Sequence, residues 1–363
     1  MNIKRTTLYK NHVDLNAKMI NYSGFYMPLQ YSSSIKEHIY VRNYSGIFDV
    51  SHMGKFIIQG SNANNVIQYL TTNDIFKLKI GEAQYNCMIN DNGGIIDDLV
   101  IFRLKTNKLL LIVNAVNIEK NKNWIKKYIK KNGTELIDIS QEYSLLSIQG
   151  PLSLYNIKKL TSIQLEKIPF YKFEIGELCG IKNVIISNTG YTGSIGFEIF
   201  VHNKYVDIIW NEILNIGKEK IVPCGLSSRD SLRLEMGYRL YGNDISEKTT
   251  PIESGLSWIV KFKKQFISKK ILIKQKEIGT YKRLSSFYLE KNINIIPRKG
   301  NILVDDNNKI GYVTSGNYSP ILKQCIGLCY LTKENKNNKI YLITRNKKIP
   351  IFKKKLPFII INK

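Results

Sequence analysis

A chain of 363 residues, 43% hydrophobic and 11% aromatic, buries a large core in two or three domains, which excludes a disordered tail. No apolar run approaches the ~20 residues that span a bilayer, and Met1 to Leu8 lack an apolar segment. A membrane protein and a secreted one are therefore excluded, and a cytoplasmic location is expected. The net charge of +25 raises nucleic acid as a partner, but abundant Asn, Lys, Ile and Tyr fit an AT-rich coding sequence whose lysines cover solvated faces.

In chain order, Phe48 to Gly54 place a polar trio, Asp49, Ser51 and His52, at a strand end. Adjacent strand side chains diverge, so Ser51 and His52 cannot form a nucleophilic dyad, and His52 is expected to be structural or to line a pocket. Ser61 is expected to cap a short helix through Leu70. A tight turn at Asn90–Gly94 leads into the strand Ile95–Phe102. Strand alternation puts Ile96, Asp98, Val100 and Phe102 on one face and Asp97, Leu99 and Ile101 on the other. At least one carboxylate then has apolar neighbours, a costly arrangement that points to function; the alternative is one Asp capping a backbone turn and the other in a salt bridge. The run Leu109–Val113 is a buried strand ended by Asn114-Ala115. Ile118 to Ile129 is expected to be a helix with Trp124, Ile125, Tyr128 and Ile129 on its apolar stripe.

Between two apolar runs, Asn188 to Ile199 carry Gly190, Gly193 and Gly196 at intervals of three, with Tyr191 and Glu198 among them. Such a loop allows close approach of main chain or of a flat ligand, with a carboxylate at its far end; the alternative is a hairpin whose glycines serve turns. Val206, Ile209, Trp210, Ile213 and Leu214 define an amphipathic helix ended near Gly217, with Trp124 and Trp210 as core anchors. Arg229 and Arg233 lie four apart on a helix and share a face. One suits a ligand carboxylate and the other an internal acid such as Glu235 or Asp230; a purely structural ion network is the alternative. From about Phe266 short apolar runs alternate with turns, at 305–308, 315–320 and 334–339, as in a small all-β barrel. The expected domains are 1–260 and 275–363, with a Lys-rich stretch over the junction. Five dispersed cysteines without a C-x-x-C fit a reducing compartment, and the four histidines have no metal-ligand spacing, so no metal is expected.

These segments resemble the aminomethyltransferase family of the glycine cleavage system, the T-proteins. The matching blocks are Gly24 to Tyr31, Phe48 to Gly54, Gly93 to Val100, Val113 to Ala115, Ile148 to Pro151, Thr189 to Glu198, Arg229 to Glu235, Leu240 to Asp244 and Ser315 to Pro320. The resemblance runs from about Leu8 to Pro357. It implies an α+β fold of two interlocked folate-binding subdomains closed into a ring by a C-terminal β-barrel. The implied reaction moves a one-carbon group from the dihydrolipoyl arm of the carrier H-protein to tetrahydrofolate, a substrate, and releases ammonia, with no metal. By the same resemblance the key acid lies in the pair Asp97-Asp98, with Asp98 favoured, Glu198 binds the pterin donor edge and Arg229 the folate glutamate. Tyr191, Val113, Asn114 and Trp258 become pocket walls.

One departure is the C-terminus, Ile359 to Lys363, which lacks the family's frequent ligand-holding aromatic, leaving that contact absent or replaced by Lys363. A related folate-binding family assists iron–sulfur assembly and tRNA modification, but its glycine loop carries a cysteine, whereas here Gly190 precedes Tyr191. The folate half of a sarcosine or dimethylglycine dehydrogenase needs a flavin domain, and this chain has no G-x-G-x-x-G after a strand. Neither nucleic acid nor a membrane is expected as a partner.

Overall fold

The computed structural model describes residues 3–129, 133–305, 308–332, 339–344 and 347–361. The expected turns at 305–308 and 334–339, and Lys363, fall wholly or partly outside them. Three sheets and a closed barrel are formed by the described residues. A five-stranded sheet runs in the order Ala83–Ile89, Ile95–Lys105, Lys108–Val113, Gly54–Gly60 and Thr134–Asp138. A six-stranded sheet runs Phe173–Leu178, Ile181–Ser187, Gly196–His202, Tyr143–Gln149, Ser45–Asp49 and Ile221–Pro223. Its neighbours Ser45–Asp49 and Tyr143–Gln149 pair antiparallel, with Leu146 opposite Asp49 and Ile148 opposite Ile47. The whole five-stranded sheet is therefore inserted between two paired strands of the other, which interlocks the halves.

The central strand Lys108–Val113 is a continuous apolar run because both its faces are covered. Leu109, Leu111 and Val113 join a core with Phe56, Ile58, Leu99 and Ile101. Leu110 and Ile112 join a second core, between the two sheets, with Phe48, Ile57, Phe102, Leu145 and Phe200. There Phe102 meets Phe200 edge to face at 5.2 Å. The six-stranded sheet packs on helix Asn203–Gly217 through Val206, Ile209, Trp210 and Ile213, all fully buried. Each such apolar side chain stabilises the fold by roughly 1.5–3 kcal/mol. That helix ends at Gly217, yet the left-handed residue is Lys218, at φ 45°. The helix after Asn117 covers only Ile118–Lys126, though Tyr128 and Ile129 still pack on the core beyond its end. Ser61 is not the cap of the preceding helix, which runs Ala63–Leu70 from Asn62.

Phe266, Ile267 and Leu272, from the Lys-rich stretch and its helix Lys269–Ile278, pack into the core of the five-stranded sheet. The barrel follows in the order Lys282–Tyr288, Gln324–Thr332, Asn308–Ser319, Ile302–Asp305, Ile340–Thr344 and Lys347–Lys353. It closes where Tyr288 pairs with Phe352, leaving no sheet edge open. Cys325 and Cys329 are among its buried residues, and all five cysteines are free.

Candidate functional site

A cavity of about 1110 Å³ lies among the sheets and the barrel. Ile20 and Tyr22 come from the small N-terminal sheet, Asp98, Val100 and Phe102 from the five-stranded sheet, and Glu198 from the six-stranded one. Asn317, Tyr318 and Cys325 come from the barrel. Tyr191, Asn114, Arg229 and Trp258 also line it. Two expected residues do not. Val113 is fully buried on the outer face of its strand while Ile112 faces the cavity. Asp97 is likewise fully buried, on the face opposite Asp98.

The two aspartates have different surroundings. Asp97 accepts four hydrogen bonds: the Asn114 backbone N–H at 3.0 Å and the amides of Asn114, Asn117 and Asn121 at 2.8, 2.6 and 2.6 Å. Asp98 accepts from the Tyr85 hydroxyl at 2.9 Å and from the Asn114 amide at 2.8 Å. Burial raises both carboxyls above the usual range, and the Asp98 charge adds to the effect on Asp97. The two carboxyls share the Asn114 amide and take up protons on acidification as a coupled pair, both above the usual carboxylate range.

The glycine loop is shaped by its neighbours. A Cβ on Gly190 would stand 2.1 Å from the Gln149 side-chain oxygen, and one on Gly196 2.4 Å from the Ile148 carbonyl. Gly193 has φ +78° and abuts Met236. Gln149 in turn donates to the Thr189 carbonyl at 3.2 Å and accepts from Thr192 at 2.9 Å. The glycines therefore make room for protein side chains and backbone as well as for the cavity that Gly190 lines. At the loop's far end Glu198 accepts from the Thr189 hydroxyl at 2.5 Å, and burial raises its carboxyl, opposed by that hydrogen bond and by Arg229. The Tyr191 hydroxyl donates to the Arg239 carbonyl, and its ring stacks on Tyr238 at 5.6 Å.

Helix Leu226–Glu235 carries both expected arginines. Arg233 is wholly engaged, by Asp230 at 2.8 Å, Asp244 at 2.7 Å and Ser315 at 2.8 Å. Arg229 differs. Its guanidinium lies 4.8 Å over the Tyr191 ring, and its buried Nη1 has no hydrogen-bond partner among the described residues. An unpaired buried donor facing a cavity is costly unless a ligand completes it. Tyr171, Tyr238, Tyr241 and Arg298, not among the residues expected from sequence, line the same cavity, as does Tyr85, whose ring stacks on Trp258 at 6.1 Å. His52 lines it as a neutral ring, pushed down to about 3 by burial.

Residues 8–264 match the family described as GCVT N-terminal domain, and residues 282–359 match the glycine cleavage T-protein C-terminal barrel domain. An aminomethyltransferase of Flavobacterium psychrophilum is 46% identical over 98% of this chain and 99% of its own length. One from Phocaeicola vulgatus is 44% identical over 98% of this chain and 99% of its own. The crystal structure of the glycine cleavage system aminomethyltransferase T from Bartonella henselae superposes with a TM-score of 0.91, at 30% identity and 98% coverage of both chains.

Proposed function

The chain belongs to the glycine cleavage T-protein family of aminomethyltransferases, and we propose that its cavity holds tetrahydrofolate while a lipoylated H-protein delivers the aminomethyl group. The iron–sulfur accessory reading has no support among the relatives, which match over the full length under the aminomethyltransferase name. The observation that carries the reading is Arg229, a cation without a hydrogen-bond partner at Nη1 among the described residues, lining the same cavity as two half-buried carboxylates, Asp98 and Glu198. These groups fit a ligand with a carboxylate at one end and a donor edge at the other. The cavity's volume suits a molecule of that size.

Tetrahydrofolate supplies the bond-making nitrogens: N5 and N10 take up the methylene as its bonds to sulfur and to the departing ammonia break. The chain's residues position and stabilise. Glu198, held by Thr189, receives the paired N–H donors of the pterin. Arg229 receives the glutamate carboxylate, steadied against the Tyr191 ring. Asp98, fixed by Tyr85 and Asn114, sets its negative charge beside the reacting nitrogens, where positive charge builds up. Asp97 acts through Asn114, whose amide nitrogen is 2.8 Å from Oδ1 of both aspartates. Trp258 and Tyr85 form one aromatic wall.

Calorimetry with tetrahydrofolate and a carrier-dependent ammonia assay test this together. Arg229→Gln should weaken tetrahydrofolate binding about ten- to hundredfold, the worth of hydrogen bonds to a charged group, with kcat changed far less. Unchanged affinity would remove Arg229 from the ligand site, and no binding to the unaltered protein would overturn the function.

A further inference from the structure

The groups assigned to the two ends of the ligand stand on separate pieces of chain. Glu198 and Tyr191 belong to the glycine loop and its strand, and Arg229 to helix Leu226–Glu235. Besides the direct contact of Arg229 with the Tyr191 ring, one side chain hydrogen-bonds both pieces. Arg42, in helix Ser34–Asn43, donates from Nη1 to the Thr192 carbonyl at 2.7 Å and to the Ser194 hydroxyl at 2.9 Å. From its other nitrogens it donates to Glu235 at 3.0 and 2.8 Å and to the Leu232 carbonyl at 3.2 Å. Its side chain is only 6% exposed, and that of Glu235 is fully buried.

Glu235 is itself held on every side. His38 Nε2 lies 3.1 Å from it, and the Ser319 hydroxyl of the barrel donates to it at 2.5 Å. The clamp therefore has a fixed base. The loop half is fixed too, because Thr192 also donates to Gln149. A planar guanidinium with five donors joins two rigid pieces at a set distance, which the single ammonium of lysine cannot do.

We propose that Arg42 is a positioning residue for ligand binding, setting the spacing between the Glu198 end and the Arg229 end of the cavity. It lines no part of the cavity and touches the ligand only through the elements it joins. This rests on the assignment of Glu198 and Arg229 to opposite ends of tetrahydrofolate. If it holds, ligands that bridge both ends depend on Arg42, while a fragment that engages one end does not.

The experiment compares the affinities of tetrahydrofolate and of tetrahydropterin, which lacks the glutamate, for the unaltered protein, Arg42→Lys and Ser194→Ala. Arg42→Lys keeps a cation beside Glu235 but loses the fork. It should bind tetrahydrofolate about tenfold or more weakly, because small misplacements of a binding group carry penalties of that order, and tetrahydropterin within about twofold of normal. Ser194→Ala removes only one hydrogen bond on the loop side and leaves Glu235 fully partnered, so it remains informative if the lysine variant folds poorly. It should shift the ratio of the two affinities in the same direction by about threefold. A merely structural role would lower the melting temperature and weaken both ligands alike. An unchanged affinity ratio in the variants that fold would overturn the proposal. Failure of the underlying assignment looks different: Glu198→Gln and Arg229→Gln would then leave tetrahydrofolate binding intact.

Discussion

Asp97 and Asp98 are neighbours in one strand, and alternation sends one into the core and the other toward the cavity. The first is saturated by amides, while the second keeps acceptor capacity toward the cavity. Asp98→Asn should therefore lose about 100-fold or more in turnover while tetrahydrofolate still binds, as measured by single-turnover ammonia release and calorimetry. Because burial raises the Asp98 carboxyl, its charged form is lost at a higher pH than for an ordinary aspartate of about 4. Turnover should then fall on acidification through a midpoint above that value, and the limb should be absent in Asp98→Asn. The stability consequence has a definite sign. A carboxyl raised in the folded state binds more protons there than in the unfolded chain, so its contribution is most favourable at low pH and declines as pH rises through the folded value. The melting temperature of Asp98→Asn relative to the unaltered protein should accordingly be higher at pH 8 than at pH 4. Asp49 runs the other way. Burial opposes its charge, but hydrogen bonds from His12 at 2.9 Å and from Ser51 hold it well below the usual range, so its stabilisation survives mild acid.

The glycine loop shows which parts of a site a sequence displays. Its glycines, Glu198 and the arginine helix all appear as local patterns, and strand alternation correctly separates the two aspartates. Arg42 has no such pattern, because its partner Glu235 is 193 positions away and only tertiary packing joins them. Tyr171, Tyr238 and Arg298 are single residues outside any periodic run, so nothing local marks them as cavity lining. Val113 shows the opposite failure: a short block containing a cavity residue, Asn114, carried its neighbour along although the strand faces it the other way. The glycines themselves gave room for two readings, and Gln149 and Met236 explain much of their presence. Gly190→Ala forces a methyl group against Gln149 and should cost about 1–3 kcal/mol, seen as a lower urea midpoint, with weaker tetrahydrofolate binding as the loop shifts. The helix carrying Arg229 is also the element that fastens the barrel. Asp230 accepts from Asn317 at 3.0 Å, and Arg233 and Glu235 reach Ser315 and Ser319.

At the scale of the molecule, Asp244 is the bolt between body and barrel. It accepts from Arg233 at 2.7 Å, Thr314 at 2.5 Å and Ser315 at 2.8 Å, and its carbonyl accepts from Tyr330 at 2.9 Å. Asp244→Ala leaves Arg233 buried with part of its charge unpaired, so a loss of about 3–5 kcal/mol is expected from chemical denaturation, with the barrel's tryptic sites opening first. The net charge of +25 favours an acidic carrier. Raising salt should then increase KM for the carrier while leaving that for tetrahydrofolate little changed, and a flat response would leave the lysines as solvated surface. The interlocked sheets have a kinetic consequence. Ser45–Asp49 emerges early but finds its antiparallel neighbour only when Tyr143–Gln149 has been made, after the entire inserted sheet. Until then Ile47 and Phe48 wait unpaired, and closure must await collapse of the intervening chain, a long-range search that slows folding. Amides of Ser45–Asp49 should accordingly gain hydrogen-exchange protection later than those of Lys108–Val113 during refolding.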